Sequence, residues 1–311
     1  MRLQATPKSQ RPRELATVRI DWLSILQHLL RRLAALALVV LAGGILCATL
    51  VRFSPGFGID ERELDSRLNS ASIAAIRDSH SANRSLLKFY AQYIHNMLRG
   101  QFGTSDTFQR PISELLRERS KVSLRSLALA LPGAWILVLT GAISITAVRN
   151  RGLDVFSSVL VGALMATPAA MVALWAASTG RGTGIAILLI LVPTLYRYTR
   201  NILERSFRKM HVMAARARGI STPSLLIWHV LPTAMPQLIG LVAVSISMAF
   251  GALIPAEFIC DSPGIGQLAL QAALGRDLPL LVTLTMVVTV VTFLANTAAD
   301  AANDVTAPVS A

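Results

Sequence analysis

Residues able to do chemistry are few in this chain, and their spacing argues against catalysis. His28, His80, His95, His211 and His229 are scattered, and none stands at metal-ligand spacing with a carboxylate inside an apolar run. No Gly-x-x-x-x-Gly-Lys-Ser/Thr loop is present to cradle phosphates, no His-Glu-x-x-His pair to hold zinc, and no Gly-x-Ser-x-Gly turn with plausible partners. Two cysteines, Cys47 and Cys260, exclude a disulfide-rich scaffold and a cysteine zinc cluster, and both read as apolar fillers. The pattern implies no catalytic residue, no metal and no cofactor. The middles of the long apolar runs carry no ionisable side chain, which disfavours a carrier driven by protons or sodium. Glu257 and Asp300 stand only at run ends.

The segment with the most informative spacing is mechanical rather than chemical. Leu203, Phe207, Met210, Ala214 and Ala217 fall on one face at helical spacing, with basic residues around the rest. Gly219 stands where such a helix stops. Ser221 or Thr222 is placed to cap a new helix, with Pro223 at its first position. That helix carries Leu225, Leu226, Ile227 and Trp228 into His229, Val230, Leu231 and Pro232. The expected order is helix, glycine break, short helix, proline, apolar span. The small side chains of Ala214 and Ala215 let a partner backbone come close. The bland alternative is an amphipathic helix lying flat on a membrane surface.

The elements that hold this segment follow from composition. Of 311 residues, 53% are hydrophobic and 15% charged, against about 25% charged in a soluble domain. The surplus of apolar residues calls for lipid as a second solvent. Runs of about 20 apolar residues cross a bilayer core of about 30 Å. They are expected at 33–51, 126–148, 155–180, 182–196, 233–256 and 278–299, the fourth being short. Six spans is the favoured count, or five if the fourth run is re-entrant. The first run has a long basic flank and no clean small-x-small site behind it, and is read as an uncleaved anchor.

The formal net charge of +13 is concentrated between the runs, which points to cytoplasmic loops and not to nucleic acid. The residues before Leu33, the loop with Arg149 and Arg151, and the segment from Arg197 to Arg218 hold most of the Arg and Lys. The positive-inside rule places these in the cytoplasm, with both termini. The loop after the first run lies outside. It opens on Ser54-Pro55-Gly56, has Leu86, Phe89, Tyr90, Tyr93, Met97 and Leu98 at helical spacing, and begins a second helix near Pro111. It reads equally as a passive cap or as a docking surface. The expected architecture is an all-α membrane protein of six transmembrane helices, with a small extracytoplasmic helical domain between helices 1 and 2 and a cytoplasmic coupling helix between helices 4 and 5. Its layout is a cytoplasmic tail at 1–30, helix 1 at 31–52, the outer domain at 53–122, a core at 123–300 with the loop 200–232, and a tail at 301–311.

Met213-Ala214-Ala215-Arg216-Ala217-Arg218-Gly219, followed by His229-Val230-Leu231-Pro232, resembles the "EAA" loop of bacterial ABC importer permeases. The Ala-Arg-Ala-Arg-Gly form is similar to the dipeptide, oligopeptide and nickel branch. Further segments resemble that branch in register: Arg31-Arg32 with Ser54-Pro55-Gly56, Phe102-Gly103-Thr104-Ser105 with the run from Arg110 to Arg119, and Pro263-Gly264-Ile265-Gly266 with Gly275-Arg276-Asp277-Leu278-Pro279. Two features depart from it: Met213 stands where the wider family has glutamate, and the Asp-Pro-Arg ending is missing. The resemblance implies a second permease subunit (a paralogue), two cytoplasmic ATPase subunits, an extracytoplasmic substrate-binding protein and membrane lipid as partners. It implies that Met213, Ala214, Ala215, Arg216, Gly219, Ile220, Leu231 and Pro232 couple to the ATPase. Ser245, Ser247, Met248 and Glu257 are candidate translocation-pathway residues; the serines read equally as helix-packing residues and Glu257 as a solvated one. The other function classes are a carrier acting alone and a membrane sensor using 54–125.

Overall fold

The computed structural model describes residues 22–52, 96, 99–148 and 150–306. The helical spacing expected between Leu86 and Leu98, the tail before Trp22 and the last five residues lie outside the described residues, as does the Cys47 side chain. Every regular element described is helical. They are α1 (Trp22–Arg52), α2 (Ile112–Val148), α3 (Arg151–Ala166), α4 (Ala169–Ser178), α5 (Gly182–Phe207), α6 (Met210–Ala217), α7 (Thr222–Leu225), a π turn (Leu226–Val230), α8 (Leu231–Ile259), α9 (Ile265–Leu274) and α10 (Leu278–Thr306).

Among the described residues, four stretches are long and apolar enough to cross a membrane: Ile112–Val148, Gly182–Phe207, Thr222–Ile259 and Leu278–Asn303. The run expected at 155–180 is instead the pair α3 and α4, bent by 90° between them. The cause is local. Pro168 has no N–H and disfavours helical backbone in the residue before it, and Thr167 is accordingly extended at ψ 123°. If that pair is one span, the described spans number five. The first expected run falls on α1, whose described apolar stretch is Ala34–Leu46.

The fourth run, short in sequence, is the first half of a 26-residue helix. Thr199, Leu203 and Ser206 continue its buried face past the apolar part, so Arg197, Arg200 and Arg205 ride on helix rather than loop. The outer helix expected near Pro111 begins at Ile112 and runs without a break into the second span, 37 residues in all. α9 corresponds to no expected element; its ten residues were too few to stand out as a span.

The core is a seam of small residues. Ala130, Ala134, Val138 and Ala142 recur every fourth residue on α2 and are fully buried, facing a cluster that includes Ala186, Ile187, Leu191 and Leu195 of α5. In lipid there is little hydrophobic gain from helix pairing, so close approach over small side chains supplies the packing. α5 packs between α2 and α8, and α10 between α8 and α1. Leu38, Leu46, Leu129, Ile136, Phe156 and Val159 stay exposed, as a lipid-facing surface requires.

Candidate functional site

The basic end of the molecule is built where α5 stops. Arg208 and Lys209 break the helix, Lys209 taking an extended backbone at ψ 144°. The single face expected from Leu203 to Ala217 therefore does not exist. Leu203 belongs to α5 and is buried, whereas Met210 is 84% exposed. α6 rests on its own chain through Val212 and Ala215. Its other side, with Met210, Met213, Ala214 and Ala217, is open. At 100° per residue these two apolar stripes lie on opposite faces of an eight-residue helix.

Gly219 ends the turn at φ +79°, a conformation that a side chain resists. The next helix starts from Ser221, with Thr222 first and Pro223 second, and the Ser221 hydroxyl makes no capping bond. Pro232 does not separate a short helix from the span, as the sequence had suggested. The proline cannot donate to the carbonyl four residues back, and the chain absorbs this by widening into the π turn, where the Leu231 N–H reaches the Leu226 carbonyl. Thr222–Ile259 is one helical path of 38 residues. The separate rod is α6 alone. It is braced to that path by Thr233, whose hydroxyl donates to the His229 carbonyl at 2.7 Å and lies 3.0 Å from His211 Nε2. With the hydroxyl proton committed to His229, the His211 nitrogen is the donor.

Beside α6 opens a cavity of about 440 Å³, lined among others by Asn150, Arg151, Phe207, Arg208, Met213 and Arg216. Its floor holds an ionic triad: Arg200 pairs with Asp154 of α3 and, at 2.6 Å, with Glu204. The Arg200 side chain is 13% exposed, so the triad fastens the start of α3 to α5.

The opposite end is a pair of carboxylate clasps. α8 is 29 residues long, about 43 Å at 1.5 Å per residue, and Glu257 sits near its far end. Glu257 is fully buried. It accepts from the Ser123 hydroxyl at 2.6 Å, the Gly266 N–H at 2.6 Å and the Gln267 N–H at 3.3 Å. It thus caps α9 from a neighbouring helix, supplying an acceptor to orphan N–H groups and a negative charge to the positive end of a helix dipole. Ser123 accepts in turn from the Ile265 N–H at 2.7 Å. A methyl group on Gly264 would lie 2.1 Å from the Glu257 carboxylate, and one on Gly266 would lie 2.5 Å from the backbone of Leu253. Gly264 therefore leaves room for the carboxylate, and Gly266 lets the start of α9 approach the backbone of α8.

Asp277 repeats the device. It accepts from the Leu280 N–H at 3.1 Å in the first turn of α10, from the Thr107 N–H at 3.0 Å, and from the Ser105 hydroxyl. Motifs about 170 residues apart in sequence thus meet in space. Ile112, Leu115, Leu268, Ala272, Leu280 and Leu284 form a small core beside the clasps.

Glu257 is not solvated, because its own chain encloses it. Ser245 is buried, donating to the Val242 carbonyl at 2.6 Å and accepting from Trp135 Nε1 at 3.1 Å, so it is a packing residue. Ser247 and Met248 are half-buried. Sequence reasoning missed Ser123, Ser105 and Asp277 as partners; for Ser105 and Asp277 the neighbouring Gly103 and Gly275 were the available signal, and Ser123, inside a helix, carried none. Cys260 is a free thiol whose Sγ lies 3.7 Å from the Ala173 carbonyl, as a filler would.

Helices of this length, apolar on their outward surfaces and joined over small residues, define a polytopic helical membrane protein. The chain belongs to the family of binding-protein-dependent transport system inner membrane components, which matches residues 127–308. Among its relatives are a putative peptide permease protein of Brucella suis, 27% identical with 91% of this chain and 98% of the relative covered, and a probable peptide ABC transporter permease of Sinorhizobium fredii, 24% identical with 88% and 96% covered. The glutathione transport system permease protein GsiC of Salmonella paratyphi A is 25% identical, with 83% and 90% covered. The fold is similar to a chain of the MetNI methionine ABC transporter solved in inward-facing conformations, with a TM-score of 0.57, 17% identity, and 63% of this chain and 98% of that one covered.

Proposed function

We propose that this chain is the permease subunit of an importer for peptides or a related small solute, driven by ATPase subunits that are separate polypeptides. The observation that carries the reading is α6: a short helix with one apolar face on its own chain and a second one bare, hydrogen-bonded to the start of a span about 43 Å long. Such a rod passes force from a soluble motor into the bundle. On this reading Met213, Ala214, Arg216 and Gly219, all exposed, meet the ATPase together with the exposed Pro232, while Ala215 and Leu231 hold the rod to its span. Ile220, half-buried, completes the turn.

The same reading places the basic end and both termini in the cytoplasm and the two clasps outside, with α1 and the α3–α4 pair as the remaining spans of six. A second permease, most simply a paralogue, shares the pathway. Two ATPases bind below, and a binding protein delivers solute from outside. Ser247 and Met248 are the residues of α8 assigned to the path. The peptide substrate is supported by what the relatives from Brucella and Sinorhizobium are named to carry.

The test is co-expression of the tagged chain with neighbouring genes. Recovery of an ATPase subunit, and solute uptake that stops when that ATPase is inactivated, is the expected result. Uptake without any ATPase would replace this reading with a carrier acting alone.

A further inference from the structure

The charge left over at the basic end has a direction. From Arg205 to Ala256 the sequence contains no acidic residue, and Arg205, Arg208, Lys209, Arg216 and Arg218 surround α6. The cavity beside it is lined by four arginines and two carboxylates, and both carboxylates are committed to Arg200. Arg151, Arg208 and Arg216 are exposed and form no ion pair among the described residues. A concave site with uncompensated guanidinium groups around it attracts carboxylate or phosphate.

Geometry separates a protein partner from a lipid headgroup. α5 continues for eleven residues beyond Tyr196, the last of its apolar stretch, which is about 16 Å. A headgroup layer is only about 5–8 Å deep on each side of the hydrocarbon. α6 follows the end of α5, and its Met210 and Met213 are exposed there. A pair of exposed methionines ringed by arginine is a surface waiting for a protein with an apolar groove and an acidic rim.

We propose that the ATPase subunit seated on α6 presents a carboxylate-bearing rim, and that one of its acidic side chains enters the cavity between Arg151, Arg208 and Arg216. This rests on the coupling role assigned above and adds the chemistry of the partner.

The experiment is capture of the co-expressed ATPase by the tagged chain at 50 and 500 mM NaCl, for wild type, R208E/R216E and R208Q/R216Q. Wild type recovers ATPase, and recovery falls at least tenfold at high salt. The charge reversal loses at least tenfold at low salt, and the neutral pair about threefold. If the reversed pair proves less well folded by its unfolding midpoint, the neutral pair carries the result. Equal recovery by all three proteins at both salts overturns the acidic-rim proposal and leaves the coupling role standing. No recovery even for wild type refutes the coupling role itself. Normal recovery by the variants, together with lost binding to phosphatidylglycerol vesicles, assigns the arginines to lipid and overturns the proposal.

Discussion

Replacing Glu257 by alanine tests whether the buried carboxylate holds the far end of the bundle together. The side chain is fully enclosed and receives three donors. Removing it strands the Gly266 N–H and the Ser123 hydroxyl, each a short bond at 2.6 Å; the third, at 3.3 Å, adds little. A buried donor left without an acceptor costs about 1–3 kcal/mol. Two such donors, with the space vacated by the carboxylate, give a loss of about 3–5 kcal/mol, in the large tail of single substitutions. Glu257→Gln keeps the volume and one acceptor oxygen. Its new amide can donate to Ser123 Oγ, so the loss is about 1 kcal/mol, the difference between charge-assisted and neutral bonds. The assay is the apparent unfolding midpoint of purified protein in detergent at one fixed heating rate, because unfolding of such proteins is kinetically controlled. The order wild type, Gln, Ala is expected, and Ser123→Ala is expected to cost less in an E257Q or E257A background than alone. An alanine variant as stable as wild type would refute the argument. So would additive effects of the two sites, since residues in one hydrogen-bonded network do not act independently.

Other contacts give further outcomes, read by the unfolding midpoint unless another assay is named. Gly266→Ala drives a methyl group into the Leu253 backbone and is expected to cost about 1–3 kcal/mol, as overpacking does. Gly219→Ala has open space around its Cβ but a φ of +79°, so its cost is the conformational one, about 1–2 kcal/mol, and Gly219→Asn costs less. Asp277→Ala frees Ser105 and Thr107, and is expected to speed limited proteolysis within residues 104–110 several-fold without touching the basic end. Arg200→Ala removes the cation between Asp154 and Glu204, and with both carboxylates 42% exposed a loss of about 0.5–1 kcal/mol is expected; combining it with Asp154→Ala should recover part of that loss.

Hydropathy alone located four runs that lie within long apolar helices among the described residues, and described their ends poorly. Ile112 to Arg125 is too charged to be read as membrane helix, yet the 37-residue helix carries it in register with the span behind it. Residues 197–207 looked like a loop because arginines dominate them, whereas Thr199, Leu203 and Ser206 continue the buried stripe. A window that averages polarity cannot see a face. Pro232 looked like a joint because proline breaks an ideal helix; the π turn shows that a helix can widen to admit one. Pro168 does produce a joint, since there Thr167 turns extended and the axis swings by 90°.

The identity of the side chains determined that this chain lies in lipid, that one end is basic, and that a helix stops at the glycine at 219. Those properties are sums over neighbours in sequence: apolar length, charge and backbone preference. Which residues grip one another was decided only by the fold. Ser105 and Asp277 are 172 positions apart and Ser123 and Glu257 are 134 apart, and no local pattern distinguishes a carboxylate that will be buried from one that will be wet. That choice belongs to the helices that close around it, because only they supply the three donors that make burying a charge tolerable.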